Sequence, residues 1–204
     1  KVLYEDMDSL EAAFVIIAAM GLGGLRRLQM ELGESGMVMG STRSAAFVAV
    51  AQKGTVIRNC YNKAMIYADT DVGAFVAMIS SADGVLENCY NMGIINGEKR
   101  SVNAAGLVAY LASDATNTRI ANCYNVGNYY GLIGTVNDSA TGSYIENSYS
   151  AVTVKPIRSQ GPLSTVSMAQ ISGDVLKGYA SVLGSAYEPD VQGINKGYPV
   201  LSWQ

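Results

Sequence analysis

The sequence predicts a mainly β protein. It reads as a short right-handed parallel β-solenoid of about four to five rungs, closed by an N-terminal apolar helical cap and a C-terminal helix plus strand. Three observations predict it. The quartet Asn-Cys-Tyr-Asn occurs at 59–62, 88–91 and 122–125, and Asn147-Ser148-Tyr149-Ser150 keeps its outline. A second signature precedes each quartet: Ala46-Phe47-Val48-Ala49, Ala74-Phe75-Val76-Ala77, Gly106-Leu107-Val108-Ala109 and Gly131-Leu132-Ile133-Gly134. The asparagine-to-asparagine spacing varies (29, 34 and 25 residues), yet the flanking patterns hold. Loops absorb insertions and stacked strands do not, so the variable stretches 80–84, 113–118 and 137–142 are loops between conserved rungs.

In chain order, residues 1–43 form an N-terminal cap with room for a first irregular rung. Asp8 can cap a helix with Glu11 reaching back, and Leu10, Phe14, Ile17 and Leu25 supply apolar surface before Gly21, Gly23 and Gly24 end it. The apolar run 12–25 has 14 residues, short of the roughly 20 that span a bilayer, so it reads as buried structure. A start at Lys1 reads as a piece of a longer or processed chain. Residues 44–160 are the repeat solenoid. Each unit is a small-residue-led apolar strand, a polar loop, and an apolar-x-Asn-Cys/Ser-Tyr strand; Met65-Ile66 and Gly93-Ile94-Ile95 suggest a third short strand. Residues 161–204 form the C-terminal cap. There Ser167-x-x-Gln170 has capping-box form ahead of Ile171, Val175, Leu176 and Tyr179, and Gly197-Tyr198-Pro199 turns into a last strand, 200–203.

Stacking turns each repeated residue into a column with strands about 4.8 Å apart. Asn59, Asn88, Asn122 and Asn147 become an asparagine ladder, because Asn tolerates the left-handed backbone of a sharp bend and its amide can both donate and accept. Cys60, Cys89 and Cys123, continued by Ser148, form a column of small buried residues. They are expected as three free, poorly reactive thiols, since stacked side chains point the same way and no Cys-x-x-Cys or His offers a metal set. Tyr61, Tyr90, Tyr124 and Tyr149 stack likewise. Alternation puts Arg58, Glu87, Ala121 and Glu146 outward, but a bend at the asparagine can reset the phase. The tyrosines are therefore either core packing, the favoured reading, or a row of outward platforms for a sugar chain or a partner protein. Trp203 is either such a platform or, as favoured, a plug for the cap.

The small-apolar-apolar-small strand, the loop and the apolar-x-Asn-Ser/Cys-Tyr-x-x-Gly strand resemble the GLUG-type repeats of bacterial secreted and cell-surface proteins. The ending Gly193-Ile194-Asn195-Lys196-Gly197-Tyr198-Pro199-Val200-Leu201-Ser202-Trp203 resembles the close of such arrays. The likeness covers roughly residues 44–204, with Ala64 standing where the usual form has Gly. It implies a surface-associated, adhesin-like β-solenoid and leaves the ligand open; the partner expected of such a module is a glycan or a host or matrix protein.

Chemistry is sparse. The chain has no histidine, which removes the commonest general base and the commonest metal ligand. A net charge of −3 with no basic stripe argues against nucleic acid. Polysaccharide-active enzymes on such folds need paired carboxylates or a carboxylate–metal cluster. Here Asp83, Asp114 and Asp138 sit singly in loops, and Asp69-x-Asp71 alone supplies too few ligands for Ca²⁺. No catalytic residue, metal or cofactor is expected. The leading expectation is a non-enzymatic surface or spacer module. A carbohydrate-binding module using the Tyr row is the first alternative, and a polysaccharide-active enzyme the second.

Overall fold

The structure, a computed structural model, describes residues 37–40, 43–97, 103–127, 130–152, 154–159 and 161–204. All belong to the compact unit Ser35–Gln204. The N-terminal helical cap lies outside the described residues.

The chain winds through three turns of five strands each. The first holds β1 (Met37–Gly40), β2 (Arg43–Ala45), β3 (Val48–Ala51), β4 (Val56–Arg58) and β5 (Tyr61–Asn62). The second holds β6 (Met65–Ala68), β7 (Asp71–Gly73), β8 (Val76–Ile79), β9 (Val85–Glu87) and β10 (Tyr90–Asn91). The third holds β11 (Ile95–Gly97), β12 (Asn103–Ala105), β13 (Val108–Leu111), β14 (Arg119–Ala121) and β15 (Tyr124–Asn125). Two shorter turns follow, β16 (Ile133–Val136) with β17 (Tyr144–Ser150), then β18 (Ile157–Ser159) with β19 (Ser164–Gln170). Strands pair in parallel with their equivalents on adjacent turns: β1-β6-β11, β2-β7-β12, β3-β8-β13-β16-β18, and a long sheet from the rest. The fold is therefore a parallel β-solenoid. Its stack already includes β1 and the start of β2, ahead of residue 44, and extends past residue 160 into β19.

Register explains the sequence pattern. Ile57, Leu86, Ile120 and Ile145 lie opposite one another, as do Val48, Val76, Val108, Ile133 and Ile157. All but the half-buried Val48 are buried in one continuous inner core. Small residues at the repeat signature are a packing requirement. A Cβ on Gly134 would lie 2.3 Å from the Ala109 carbonyl oxygen, and one on Gly106 would lie 2.1 Å from the Asn125 side chain.

The fifth turn corrects the reading of Ser167-x-x-Gln170 as a helix cap. Those residues are in β19, where Ile145 faces Thr165, Ser148 faces Met168 and Tyr149 faces Ala169. Ser167 falls where Asn147 falls one turn earlier, and it keeps a left-handed φ of 51°. Pairing with β17 captured this degenerate fifth copy. The helix starts later: α1 (Gly173–Lys177) is capped by the Ser172 side chain, which accepts from Val175 N. Gly178 ends α1, and α2 (Ala180–Leu183) stops at Gly184. Two strands, β20 (Tyr187–Glu188) and β21 (Val200–Leu201), then pair antiparallel.

Candidate functional site: the tyrosine row and its cover

The quartet is read most simply by following its four side chains. The first asparagine makes the bend. Asn59, Asn88, Asn122 and Asn147 hold φ of 53°, 52°, 52° and 41°, a region Asn occupies at little cost. Their amides form the expected ladder. Asn88 Nδ2 donates to Asn59 Oδ1 at 3.0 Å, Asn122 Nδ2 to Asn88 Oδ1 at 3.1 Å, and Asn147 Nδ2 to Asn122 Oδ1 at 2.9 Å.

The second residue turns inward. Cys60, Cys89 and Cys123 are free thiols; Cys89 and Cys123 are buried and Cys60 half-buried. Each Sγ donates to the carbonyl two residues back, at 3.0, 3.2 and 3.1 Å, and Ser148 Oγ makes the same bond to Glu146 O at 2.8 Å. One shared bond explains why Cys and Ser interchange here. The neighbouring Cys89 thiol, followed by burial, pushes the Cys60 thiol far above its ordinary value; burial does the same for Cys89. Both are therefore protonated and weakly nucleophilic at neutral pH.

The third residue faces out of the solenoid, which answers the open question of the tyrosine phase. Tyr61 stacks on Tyr90 (5.3 Å, 12° between planes) and Tyr90 on Tyr124 (4.9 Å, 1°). Tyr149 instead meets Tyr179 edge-on at 4.9 Å and donates its hydroxyl to Asn147 Oδ1 at 2.9 Å. Outward does not mean exposed, however. Tyr90 and Tyr124 are 0 % exposed because the C-terminal segment 171–204 lies along the row as a strap. Leu176, Ala180, Leu183, Tyr187 and Leu201 join them in a second, outer core.

The strap is tied to successive turns. Tyr90 OH donates to Gln204 Oε1 at 2.9 Å, Tyr124 OH donates to Pro199 O, and Tyr187 OH donates to Asn122 O at 2.8 Å. Asn147 Nδ2 donates to Val182 O at 2.8 Å. At the first-turn end, Trp203 lies 5.9 Å from Tyr61 and its Nε1 donates to Asn59 O at 3.3 Å. Trp203 is 61 % exposed, so it is a lid on the row's rim and not the buried plug expected of it. With the strap in place, no sugar ring can lie on Tyr90 or Tyr124.

The fourth residue is a second ladder that sequence reasoning passed over. Asn62, Asn91 and Asn125 are buried. Asn62 Nδ2 donates to Asn91 Oδ1 at 2.7 Å, and Asn91 Nδ2 to Asn125 Oδ1 at 2.9 Å. Each Oδ1 also accepts a backbone N–H two residues on, from Ala64, Gly93 and Gly127, all at 3.0 Å. A Cβ on Gly93 would fall 2.1 Å from Ala64 O, and one on Gly127 would fall 2.3 Å from Gly93 O, which accounts for those glycines. The repetition of the final Asn was the signal, and its inward phase was what the sequence concealed.

Charges pair between turns as well. Arg58 Nε donates to Glu87 Oε2 at 2.8 Å, while Arg119 bridges Glu87 Oε1 at 2.7 Å and Glu146 Oε1 at 2.9 Å. Arg119 thus spans the gap left in the Arg58–Glu87–Glu146 column by Ala121, which is in register with Glu87 and Glu146, as alternation placed it, but is covered from solvent. The Arg119 guanidinium holds the Glu87 carboxyl below its ordinary value. On the far side, Asp71 accepts from Arg43 Nε and from Asn103 Nδ2, both at 2.7 Å. Asp83, Asp114 and Asp138 are exposed at separate loops. Among the described residues, no three His, Cys, Asp or Glu side chains come together so as to hold a metal, and no helix is long and apolar enough to cross a membrane.

The chain matches no family model, no curated protein and no solved structure.

Proposed function

We propose that this chain is a non-enzymatic, stiff module of a secreted or surface-attached bacterial protein, serving as a spacer or adhesive unit. The resemblance to GLUG-type repeats points the same way. The observation that supports the reading is where the polar side chains go. The repeated Asn, Cys/Ser and Arg/Glu columns are all engaged in bonds that join one turn to the next or fix a bend within it. A stack of this kind couples each turn to its neighbours and holds its outer faces at fixed separation. Such a body suits holding partners apart, or presenting a surface, better than closing around a substrate.

Two measurements test this. Antibody labelling of intact source cells, compared with permeabilised ones, should show the chain at the surface; signal only after permeabilisation overturns the location. Immobilised chain should retain glycans or matrix proteins, or carry load in single-molecule pulling with unfolding forces above those of its isolated helical segments. Turnover of a polysaccharide would overturn the non-enzymatic reading.

A further inference from the structure

The inner core is sealed along its length and open at both ends. Phe47, Phe75, Leu107 and Leu132 form one of its columns, since Val48, Val76, Val108 and Ile133 beside them lie in register. Phe75, Leu107 and Leu132 are 0 % exposed, whereas Phe47, stacked on Phe75 at 5.1 Å in the first turn, is 44 % exposed. The far end repeats the pattern. Ile57, Leu86, Ile120 and Ile145 are buried, and the fifth turn continues their column with Thr165, which is exposed. Beside it Val166 is 55 % exposed. Solenoid ends ordinarily carry a cap with a polar outer face.

The strands at these ends also pair on one side only. Among the described residues, β3, β4 and β5 pair with the second turn alone, β18 with β16 alone and β19 with β17 alone. β19 runs seven residues, Ser164–Gln170, without the charge or proline that guards an edge. A straight strand does not match it, because Ser167 bends it at φ 51°. The matching occupant has the same corner, an open edge and an open core column. The first turn of this chain has all three, in β4, the Asn59 corner at φ 53° and β5. The asparagine ladder ends in matching senses too. Each ladder amide donates to the turn before it, so Asn59, the first member, has an exposed Nδ2 with no partner among the described residues. At the last turn the exposed Ser167 offers a hydroxyl that can accept.

We propose that the chain associates end to end with a second copy, the fifth turn of one molecule continuing into the first turn of the next. In the register the turns already keep, Thr165 lies over Ile57 of the following copy and Val166 over the stem of its Arg58. Ser167 lies over its Asn59, whose amide donates to Ser167 Oγ. The contact joins two different surfaces, so every assembly keeps an open end and stacks have no fixed size. The inference goes beyond the spacer reading and does not require it; a surface location can fail with stacking intact, and stacking can fail with the location intact.

The test is sedimentation equilibrium of the full chain. Its weight-average mass should climb continuously above the 21.5 kDa of one chain as concentration rises to about 1 mM. A monomer throughout, or a mass that levels off at a dimer, overturns the proposal. Two variants then locate the ends. Thr165→Lys and Phe47→Lys each place a charge that water reaches in the free chain and that stacking buries. Each alone should weaken association by more than about tenfold. Mixed in equal amounts they should form a dimer and nothing larger, because the first turn of the Thr165→Lys chain still meets the fifth turn of the Phe47→Lys chain. Should either fail to fold, Val166→Lys and Val56→Lys repeat the experiment at outward positions 55 % and 51 % exposed, where an edge lysine blocks strand pairing. A folded single variant that associates as tightly as the original chain, or a folded pair that forms no mixed dimer, overturns the proposal.

Discussion

Cys123 and Tyr124 are adjacent in the chain and belong to different cores. Cys123 points into the solenoid, where Leu86, Ile120 and Ile145 come from successive turns about 4.8 Å apart. Tyr124 points out, where its cover comes from far along the chain: Tyr187, whose ring lies 5.9 Å from it, Asn195 at a separation of 71 and Pro199 at 75. The inner core is closed by repetition and the outer core by a single non-repeating strap. A solenoid face can thus be made apolar and stacked without becoming a binding surface, provided one long segment returns to cover it. The two cores should therefore fail differently.

Alkaline titration separates them most completely. Burial pushes the hydroxyls of Tyr90, Tyr124 and Tyr187 well above the ordinary tyrosine value. For groups whose folded value is raised, stability is intact below the unfolded value near 10 and falls as pH rises above it, since the unfolded chain releases those protons first. Tyrosinate absorbance from these residues and the change in Trp203 fluorescence should therefore appear together, in one cooperative step above pH 10. A gradual rise in absorbance with no fluorescence change would mean that the strap does not seal the row.

Tyr124→Ala comes next. Truncating a fully buried aromatic costs about 3–5 kcal/mol, and here it also removes the hydroxyl shared by Asn195 and Pro199. Trp203 fluorescence should change at lower denaturant than the far-ultraviolet β signal, because the strap leaves while the stack persists. The comparison variant Ile120→Ala opens a cavity in the inner core for about 2–5 kcal/mol, and its two signals should shift together. Coincident transitions in Tyr124→Ala would show that the cores are one cooperative unit.

The two asparagine ladders differ in burial and should differ in energy. Asn91→Ala removes four hydrogen bonds of the buried ladder, those to Asn62 Nδ2, Asn125 Oδ1, Gly93 N and Gly93 O. Each buried hydrogen bond lost costs about 0.5–1.5 kcal/mol, so the loss sums to a few kcal/mol. Asn88→Gly keeps the left-handed bend and loses only half-exposed ladder bonds, about 1 kcal/mol. Denaturant midpoints should rank Asn91→Ala well below Asn88→Gly. Equal losses would make burial irrelevant to the ladder.

This ranking also marks how far the residues could be read in advance. Columns are legible because neighbouring turns put the same demand on equivalent positions, so Asn59, Cys60 and Tyr61 recur with their environment. The phase of Tyr61 was not legible, since the left-handed Asn59 resets alternation. Nor was the fifth copy. Nothing stacks beyond β19 among the described residues, so Ser167, Met168 and Ala169 keep the bend and the register while the identities drift. The strap's contacts leave no period at all: Trp203 with Asn59, or Tyr90 with Gln204, are single long-range pairings.

The smallest effect is expected in the cysteine column, and it tests the bond that unites Cys with Ser. Every member donates to the carbonyl two residues back, and at the fourth turn the donor is already Ser148 Oγ. Cys89→Ser keeps that donor in a nearly isosteric side chain and exchanges a weak S–H bond for a stronger O–H one. This offsets most of the cost of burying a hydroxyl. Its denaturant midpoint should correspond to a change within about 1 kcal/mol, whereas Cys89→Val, similar in bulk without a donor, should lose more through crowding against the turns on either side. Thiol labelling supplies the partner measurement. In native protein Cys60 should react slowly and Cys89 and Cys123 only on unfolding, because burial protects them. Rapid labelling of all three in folded protein would mean that the inner core opens between turns, and that the column is held by something weaker than the packing described.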